Sequence, residues 1–140
     1  MKKLLLLLLL IPNLVIGVSS SPKNLYEYKI LRVIDGDTIE IEAKFLPSPL
    51  KPKLKLRIIG VDTPEKNSKK ECEKILAERA TLFTTKKIDE GKSKKIQVIK
   101  WDSFGRILGD VFIDGKSLKK LLLDGKLGRL WKRGKKISWC

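Results

Sequence analysis

The 140-residue chain carries 31 lysines and arginines against 16 aspartates and glutamates, a net charge of +15 at pH 7, and it contains no histidine. This length suggests one domain with a modest core. The missing histidine excludes histidine-based general acid–base nucleases, Ser-His-Asp hydrolases and the usual zinc deaminases. The positive charge favours nucleic acid as the partner, with an anionic membrane surface second and a merely solvated lysine surface as the alternative.

The first 20 residues have the layout of a secretory signal peptide. Lys2 and Lys3 precede an unbroken apolar run over residues 4–11, and small serines occupy positions 19–21. The run is shorter than the roughly 20 residues that a membrane-spanning helix needs. We therefore expect residues 1–20 to direct export to a secreted or periplasmic location. An uncleaved anchor, and with it membrane contact, is the alternative.

Three strands are predicted in the first half of the remaining domain, residues 21–140. They cover residues 29–34, 38–43 and 53–61, and a loop rich in proline separates the second from the third. Residues 35–37, Asp-Gly-Asp, form the turn between the first two. Alternation along the third strand puts Leu54, Leu56 and Ile58 on one face and Arg57 on the opposite face.

Helical spacing begins at Glu71 and continues to about Asp89, where Gly91 follows. The predicted apolar stripe of this helix consists of Ile75, Leu76, Ala80, Phe83 and Ile88. Two more strands, residues 95–100 and 107–113, precede a short helix over residues 117–123. These elements predict a mainly β member of the α+β class. A five-stranded barrel of the oligonucleotide-binding (OB) type with two or three helices is the natural candidate.

Acidic and basic side chains gather at the ends of the predicted strands. The acidic ones are Asp35, Asp37, Asp62 and Glu65, and the arginines are Arg57 and Arg106. Carboxylates can hold a hard cation and orient water, while guanidinium groups bind phosphate oxygens. Without histidine, any general base must be a carboxylate, and the cation is expected to be calcium or magnesium.

Three motifs resemble the thermonuclease (staphylococcal or micrococcal nuclease) family, in its short bacterial form ending in Trp-Cys. They are residues 33–38 (VIDGDT), Arg57 with residues 61–65 (VDTPE), and residues 104–106 (FGR). Their order and spacing agree over the chain from about residue 29 to its end. The resemblance implies an OB fold and an exported, calcium-dependent endonuclease. It also implies a monomer that cleaves DNA and RNA with little sequence preference and leaves 3′-phosphate ends.

The resemblance also implies roles for individual residues. Calcium would be held by Asp37, Asp62 and the backbone carbonyl of Thr63. Asp35, in the same turn as Asp37, would lie next to these ligands without contacting the ion itself. Phosphate would be bound by Arg57 and Arg106, and Glu65 would activate or orient the attacking water. Which of these two tasks Glu65 performs is left open.

Two departures from the family pattern concern nucleotide binding. Phe104 replaces the usual tyrosine and so lacks the hydroxyl donor, and the chain lacks the long C-terminal helix of the best-known members. Trp131 stands where an aromatic lines the nucleotide pocket, so base stacking is predicted, with simple packing as the alternative. Further phosphate contacts are predicted for Lys66, Lys69, Lys70, Lys132 and Arg133.

Two cysteines, Cys72 and Cys140, permit one disulfide in an exported protein, or two free thiols in a reducing compartment.

Each acidic motif also has an ordinary structural interpretation, as a hairpin turn or as a helix start. The alternative function is accordingly a non-catalytic OB module that binds nucleic acid. A membrane-anchored basic module is a third possibility. The sequence does not distinguish DNA from RNA as the preferred substrate.

Overall fold

The computed structural model describes residues 22–44, 47, 53–134 and 137–140. The predicted signal segment, residues 1–20, lies outside these ranges, as does most of the proline-rich loop. Within the described ranges, no helix is long and apolar enough to cross a membrane.

Nine strands and two helices are formed by the described residues. The strands are β1 (Leu25–Tyr26), β2 (Ile30–Asp35), β3 (Thr38–Glu42), β4 (Lys53–Ile58), β5 (Val61–Asp62), β6 (Lys94–Trp101), β7 (Ile107–Ile113), β8 (Lys116–Ser117) and β9 (Arg129–Leu130). The helices are α1 (Glu71–Glu90) and α2 (Leu118–Asp124). The predicted third strand is divided into β4 and β5, because Gly60 adopts a φ of +74° between them.

The main sheet is mixed, with the order β1-β6-β7-β4-β3-β2, and β8 pairs with β7. Strands β4 and β7 are parallel, whereas the other pairs in this sheet are antiparallel. A separate two-stranded sheet joins β5 to β9. The predicted mainly β, α+β class is confirmed. In the described residues the ladders form an open path rather than a closed ring.

One core lies between the inner face of the sheet and the helices. Fully buried side chains from successive sheet strands alternate with exposed ones, as a half-buried sheet requires. The innermost members are Ile39, Ile41, Leu56, Ile58, Ile96, Val111, Leu118 and Leu122. The predicted alternation in β4 is confirmed, with Leu56 and Ile58 inside and Arg57 on the other face.

The buried face of α1 differs from the predicted stripe. Ile75 was expected inside but is 47% exposed. Ala80 and Ile88 are buried as predicted, and three small residues outside the predicted stripe are buried with them, Ala77, Thr81 and Thr84. A Cβ placed on Gly36 would lie 2.7 Å from the Cβ of Ala80, so the turn between β2 and β3 approaches the helix backbone closely. The hydrophobic pattern overlooked this face because close packing, not apolar bulk, selects its residues.

A disulfide joins Cys72, in the first turn of α1, to Cys140. The two Cα atoms are 6.3 Å apart, and the bond spans 68 positions of the sequence. Closing a loop of this length restricts the unfolded chain and stabilises the fold by about 4 kcal/mol. Of the two readings left open by the sequence, the structure contains the bonded one.

Candidate active site

Strand pairing brings three separate sequence motifs to one place. Antiparallel pairing sets Thr38 opposite Arg57, and the Ile58 N–H donates to the Asp37 carbonyl at 2.8 Å. Parallel pairing of β4 with β7 sets Leu56 opposite Ile107, the residue after Arg106. Arg57, on the outer face of β4, and Arg106, just before β7, therefore lie near the turn between β2 and β3.

Arg57 connects two carboxylates that the sequence singled out. Its Nη1 lies 3.1 Å from Oδ1 of Asp37, and its Nη2 lies 3.5 Å from Oδ1 of Asp62. The arginine side chain is 22% exposed, whereas that of Asp37 is only 3% exposed. An ion pair this deep is worth more than one on the surface, because water screens it less.

The Asp37 carboxylate is held at both oxygens. Oδ1 also accepts from the Thr38 hydroxyl at 2.9 Å, and Oδ2 accepts from the Thr63 backbone N–H at 3.1 Å. Burial raises the pKa of Asp37 above its ordinary value, and the Arg57 charge and these hydrogen bonds offset only part of that rise. The pocket around Asp37 therefore favours additional positive charge.

The oxygen atoms gathered here fit a hard cation. Asp37 and Asp62 both reach the same guanidinium, and Thr63, which is buried, follows Asp62 directly. Two carboxylates and a backbone carbonyl match the oxygen ligands that calcium prefers, and water would complete its six to eight positions. No cluster of three or more acidic, cysteine or histidine side chains suited to a metal occurs in the described residues. Calcium binding by Asp37, Asp62 and the Thr63 carbonyl stays a prediction.

Arg106 is oriented by Asp102, a residue that the sequence did not single out. Oδ2 of Asp102 accepts from Nε of Arg106 at 2.7 Å, and Oδ1 accepts from the backbone N–H groups of Phe104 and Arg106, each at 2.9 Å. Gly105 completes the turn with a φ of +73°. Partial burial acts to raise the pKa of Asp102, but the hydrogen bonds from Arg106 and Phe104 and the Arg106 charge outweigh it and lower the pKa.

Glu73 shapes the loop that carries Glu65. Glu73 is buried in the first turn of α1, and its Oε1 accepts from the Glu65 backbone N–H at 3.2 Å. Its Oε2 accepts from the Ser68 hydroxyl at 2.7 Å, which fixes the other end of the loop. Glu65 itself is exposed at the cleft. A glutamate in the first turn of a helix normally contacts solvent, so no sequence pattern predicts this role of Glu73.

These elements enclose a cleft of about 190 Å³. It is lined by Ile34, Asp35, Asp37, Thr38, Lys55, Arg57, Thr63, Pro64, Glu65, Lys66, Asn67 and Arg106. Most of the predicted site residues meet here, and Asp62 joins them through Arg57. A larger groove of about 600 Å³, between Tyr28 and Ile88, contains none of them.

Other residues predicted to bind nucleic acid lie outside the lining of the cleft. Phe104 is 81% exposed, with its ring 5.4 Å from the Arg106 guanidinium, and Trp131 is 54% exposed. Lys69 is exposed, and Lys70 donates to the Ser138 hydroxyl at 2.7 Å. Lys132 and Arg133 are exposed as well. Their roles in binding stay predictions.

Comparison with protein families decides the relationship. The sequence model of the family described as "Staphylococcal nuclease homologue" matches residues 55–135, more than half of the chain. The chain belongs to the staphylococcal nuclease homologue family. The resemblance seen in the sequence is thereby confirmed. The match begins after Asp37 and so leaves out the Asp-Gly-Asp turn. The contacts of Asp37 with Arg57 and Thr63 connect this turn to the matched part of the chain.

Three curated relatives of this nuclease-family chain have names that include the word endonuclease. Endonuclease YncB of Bacillus subtilis is 31% identical over 115 residues, which cover 80% of this chain and 51% of the relative. The SPbeta prophage-derived endonuclease YokF of the same species is 29% identical over 77% of this chain and 35% of its own length. An uncharacterized endonuclease of Escherichia coli is 27% identical over 74% and 58%, respectively. The chain therefore spans between 35% and 58% of the length of these three relatives.

Proposed function

We propose that this protein is a calcium-dependent endonuclease that hydrolyses phosphodiester bonds in DNA and RNA with low sequence specificity and leaves 3′-phosphate ends. Family membership and the endonuclease names of relatives support a nuclease. The observation that carries the proposal is the contact of Arg57 with both Asp37 and Asp62. It brings a group suited to bind phosphate next to two carboxylates suited to bind a cation.

The arginines would bind the scissile phosphate. A guanidinium has five N–H donors in a planar fork, so Arg57 can contact phosphoryl oxygens while it remains beside its carboxylates. Arg106 approaches from β7, with its orientation held by Asp102. Both groups would stabilise the negative charge that grows on the phosphoryl oxygens in the transition state.

A calcium ion held by Asp37, Asp62 and the Thr63 carbonyl would supply polarisation and charge compensation of the phosphate. Glu65, exposed at the wall of the cleft, would accept a proton from the attacking water or orient it. The Glu73 hydrogen bonds hold the backbone that carries Glu65. The bond between phosphorus and the 5′ oxygen would break on the side opposite the attacking water, and the 5′ oxygen would take up a proton from solvent.

Digestion of plasmid and single-stranded DNA and of RNA by the full-length chain tests this proposal, with calcium and then with a calcium chelator. Wild type is compared with Arg57→Ala and Glu65→Gln, and Arg79→Ala serves as the control. Arg79 is an exposed arginine of α1, so its loss removes the same charge away from the cleft. We expect each cleft variant to lose about a hundredfold or more in rate. Arg57→Ala removes one charged donor to the phosphate, and Glu65→Gln removes the group that accepts the proton of the water or orients it.

The alternative, a non-catalytic OB module that binds nucleic acid, makes a different prediction. Wild type and all variants would then bind DNA in a salt-sensitive manner, and none would cleave it.

For the nuclease, analysis of the ends of the products checks the 3′-phosphate. Chromatography would show a monomer.

We also propose export to a secreted or periplasmic location, on the basis of the signal-like residues 1–20. The disulfide between Cys72 and Cys140 agrees with an oxidising compartment. Mass spectrometry of the mature protein measures whether the segment is removed. An intact N-terminus in the membrane fraction would favour the anchored alternative.

A further inference from the structure

The C-terminal residues converge on Arg129, which lies next to a proposed calcium ligand. In the β5–β9 ladder Arg129 is directly opposite Asp62. Its Nε lies 3.8 Å from Oδ2 of Asp62, while Arg57 contacts Oδ1 of the same carboxylate. Asp62 is therefore flanked by one arginine at each oxygen.

The last residues of the chain hold the Arg129 side chain by three contacts. Its Nη1 donates to the Ser138 carbonyl at 3.2 Å, and its Nη2 donates to the Ile137 carbonyl. The ring of Trp139 lies 3.9 Å from the guanidinium carbon, within the range of a cation–π contact. We call residues 137–140 the tail.

The tail is itself fastened to the start of α1. Cys140 is bonded to Cys72, and the Ser138 hydroxyl accepts from Nζ of Lys70 at 2.7 Å. A side chain with many rotamers loses conformational entropy when it is ordered, and these contacts order Arg129 before any ligand binds. The disulfide, the tail and Arg129 thus form a continuous connection to Asp62.

We propose that Arg129 is a positioning residue for Asp62, and that the disulfide-linked tail keeps Arg129 in place. The inference rests on the proposed function, because it takes Asp62 as a ligand of calcium. Partners of metal-ligating side chains fix the orientation of the ligand, and their loss typically weakens metal binding by about tenfold or more. Neither Arg129 nor the tail contacts the reacting phosphate in this role.

The charge of Arg129 and its positioning of Asp62 have opposite effects on calcium binding. One substitution separates the two effects. A positive charge beside a cation site repels the cation, so simple loss of charge strengthens calcium binding. Arg129→Lys keeps the charge but cannot reproduce the planar contacts with the tail and Asp62. A positioning role therefore predicts weaker calcium binding by Arg129→Lys.

The test is calorimetric titration of the full-length chain with calcium, accompanied by thermal unfolding. We expect Arg129→Lys to raise the dissociation constant about tenfold. Trp139→Leu, which removes the stacked ring but leaves Arg129, is expected to act in the same direction. Arg79→Lys, the same change on the exposed face of α1, is the control and is expected to match wild type.

The role of the disulfide is tested by a double-mutant cycle. Cys72→Ser with Cys140→Ser releases the tail without a charge change, and it should also weaken calcium binding. In the Arg129→Lys background, the two serine substitutions should weaken calcium binding much less than they do in the wild type, because both changes disrupt the same connection. Fully additive effects would contradict the connection.

Three further outcomes overturn the inference. If Arg129→Lys binds calcium as wild type does, Arg129 does not position Asp62, even if the variant unfolds at a lower temperature. If the wild type cleaves DNA but this variant shows the same calcium requirement for cleavage, the inference alone fails. A wild type that neither binds calcium nor cleaves DNA would refute the proposed function together with the inference.

Discussion

The hydroxyl of Thr84 donates a 2.7 Å hydrogen bond to the backbone carbonyl of Gly36. Both atoms are buried, and the bond joins the middle of α1 to the turn that carries Asp35 and Asp37. Together with the close approach of Ala80 to Gly36, this hydrogen bond fixes the distance between the turn and the helix. The geometry of the acidic cleft therefore depends on a helix that contributes no side chain to its lining.

Thr84→Val tests this support at nearly constant volume. The variant leaves the Gly36 carbonyl buried without its donor, which costs about 1–3 kcal/mol of unfolding free energy. Urea unfolding measures the loss. Thr85→Val is the matched control, because the Thr85 hydroxyl donates within α1, to the Thr81 carbonyl. Equal unfolding free energies for the two variants would contradict a special role for the Thr84 bond.

Asp102→Asn tests the orientation of Arg106. The asparagine can still accept from backbone N–H groups, but it loses the charge partner of the Arg106 side chain. We expect kcat to fall roughly tenfold to a hundredfold, since small misplacement of a catalytic group has effects of this size. Steady-state kinetics on a short DNA substrate would separate kcat from KM.

A second turn aspartate provides the control for Asp102. Asp114 likewise accepts from backbone N–H groups, those of Lys92 and Ser93, at 3.0 and 2.8 Å. Asp114→Asn should lower stability to a similar degree and leave kcat unchanged. A loss of kcat common to both variants would show that general loosening of the fold, not Arg106, is responsible.

Phe104→Tyr is expected to improve the binding of terminal phosphates. The ring is 81% exposed beside Arg106, so an added hydroxyl has room and meets no packing penalty. A hydrogen bond to a charged phosphate strengthens binding by about tenfold or more. Competition by a mononucleotide measures this gain. Phe83→Tyr, in α1 outside the cleft lining, controls for the added hydroxyl, and equal affinity for all three proteins would refute the expectation.

The raised pKa of Asp37 predicts how calcium and pH act together. The folded protein binds the Asp37 proton more tightly than the unfolded chain does. In metal-free protein this group therefore costs stability as pH rises through its folded pKa, and the cost disappears as pH falls below the unfolded value. Calcium reverses the preference, because it binds only the ionised carboxylate.

We accordingly expect the acid limb of cleavage to lie above the ordinary aspartate pKa of 3.8. It should move to lower pH as the calcium concentration is raised. Rate–pH profiles at a limiting and a saturating calcium concentration provide the measurement. An acid limb that does not move with calcium would mean that Asp37 does not take part in binding the cation.

The long elements could be predicted because local patterns specify them. Strands β3 and β4 show a period of two, and α1 begins and ends where its sequence signals lie. These patterns depend on neighbours a few positions away. The cleft residues Asp37, Arg57 and Arg106 were recognised because three short motifs resemble the thermonuclease family.

The rest of the site depends on partners that are distant in the sequence or hidden by residue type. Two-residue strands such as β5 and β9 have no period. Their pairing joins Val61 to Leu130 and Asp62 to Arg129, which are 69 and 67 positions apart, so no local pattern predicts it. Glu73 and Asp102 are common residue types in ordinary positions. Only the folded backbone shows that each one holds a neighbouring loop or side chain.

The bond between Cys72 and Cys140 encloses β6, β7, α2 and β9, and with them Arg106 and Arg129. A protease that cuts one peptide bond anywhere inside this loop leaves two pieces still covalently attached. The piece with Arg106 cannot diffuse away from the piece with Asp37 and Arg57. A nicked molecule can thus retain all the groups of its cleft, and on a gel it would separate into fragments only after reduction.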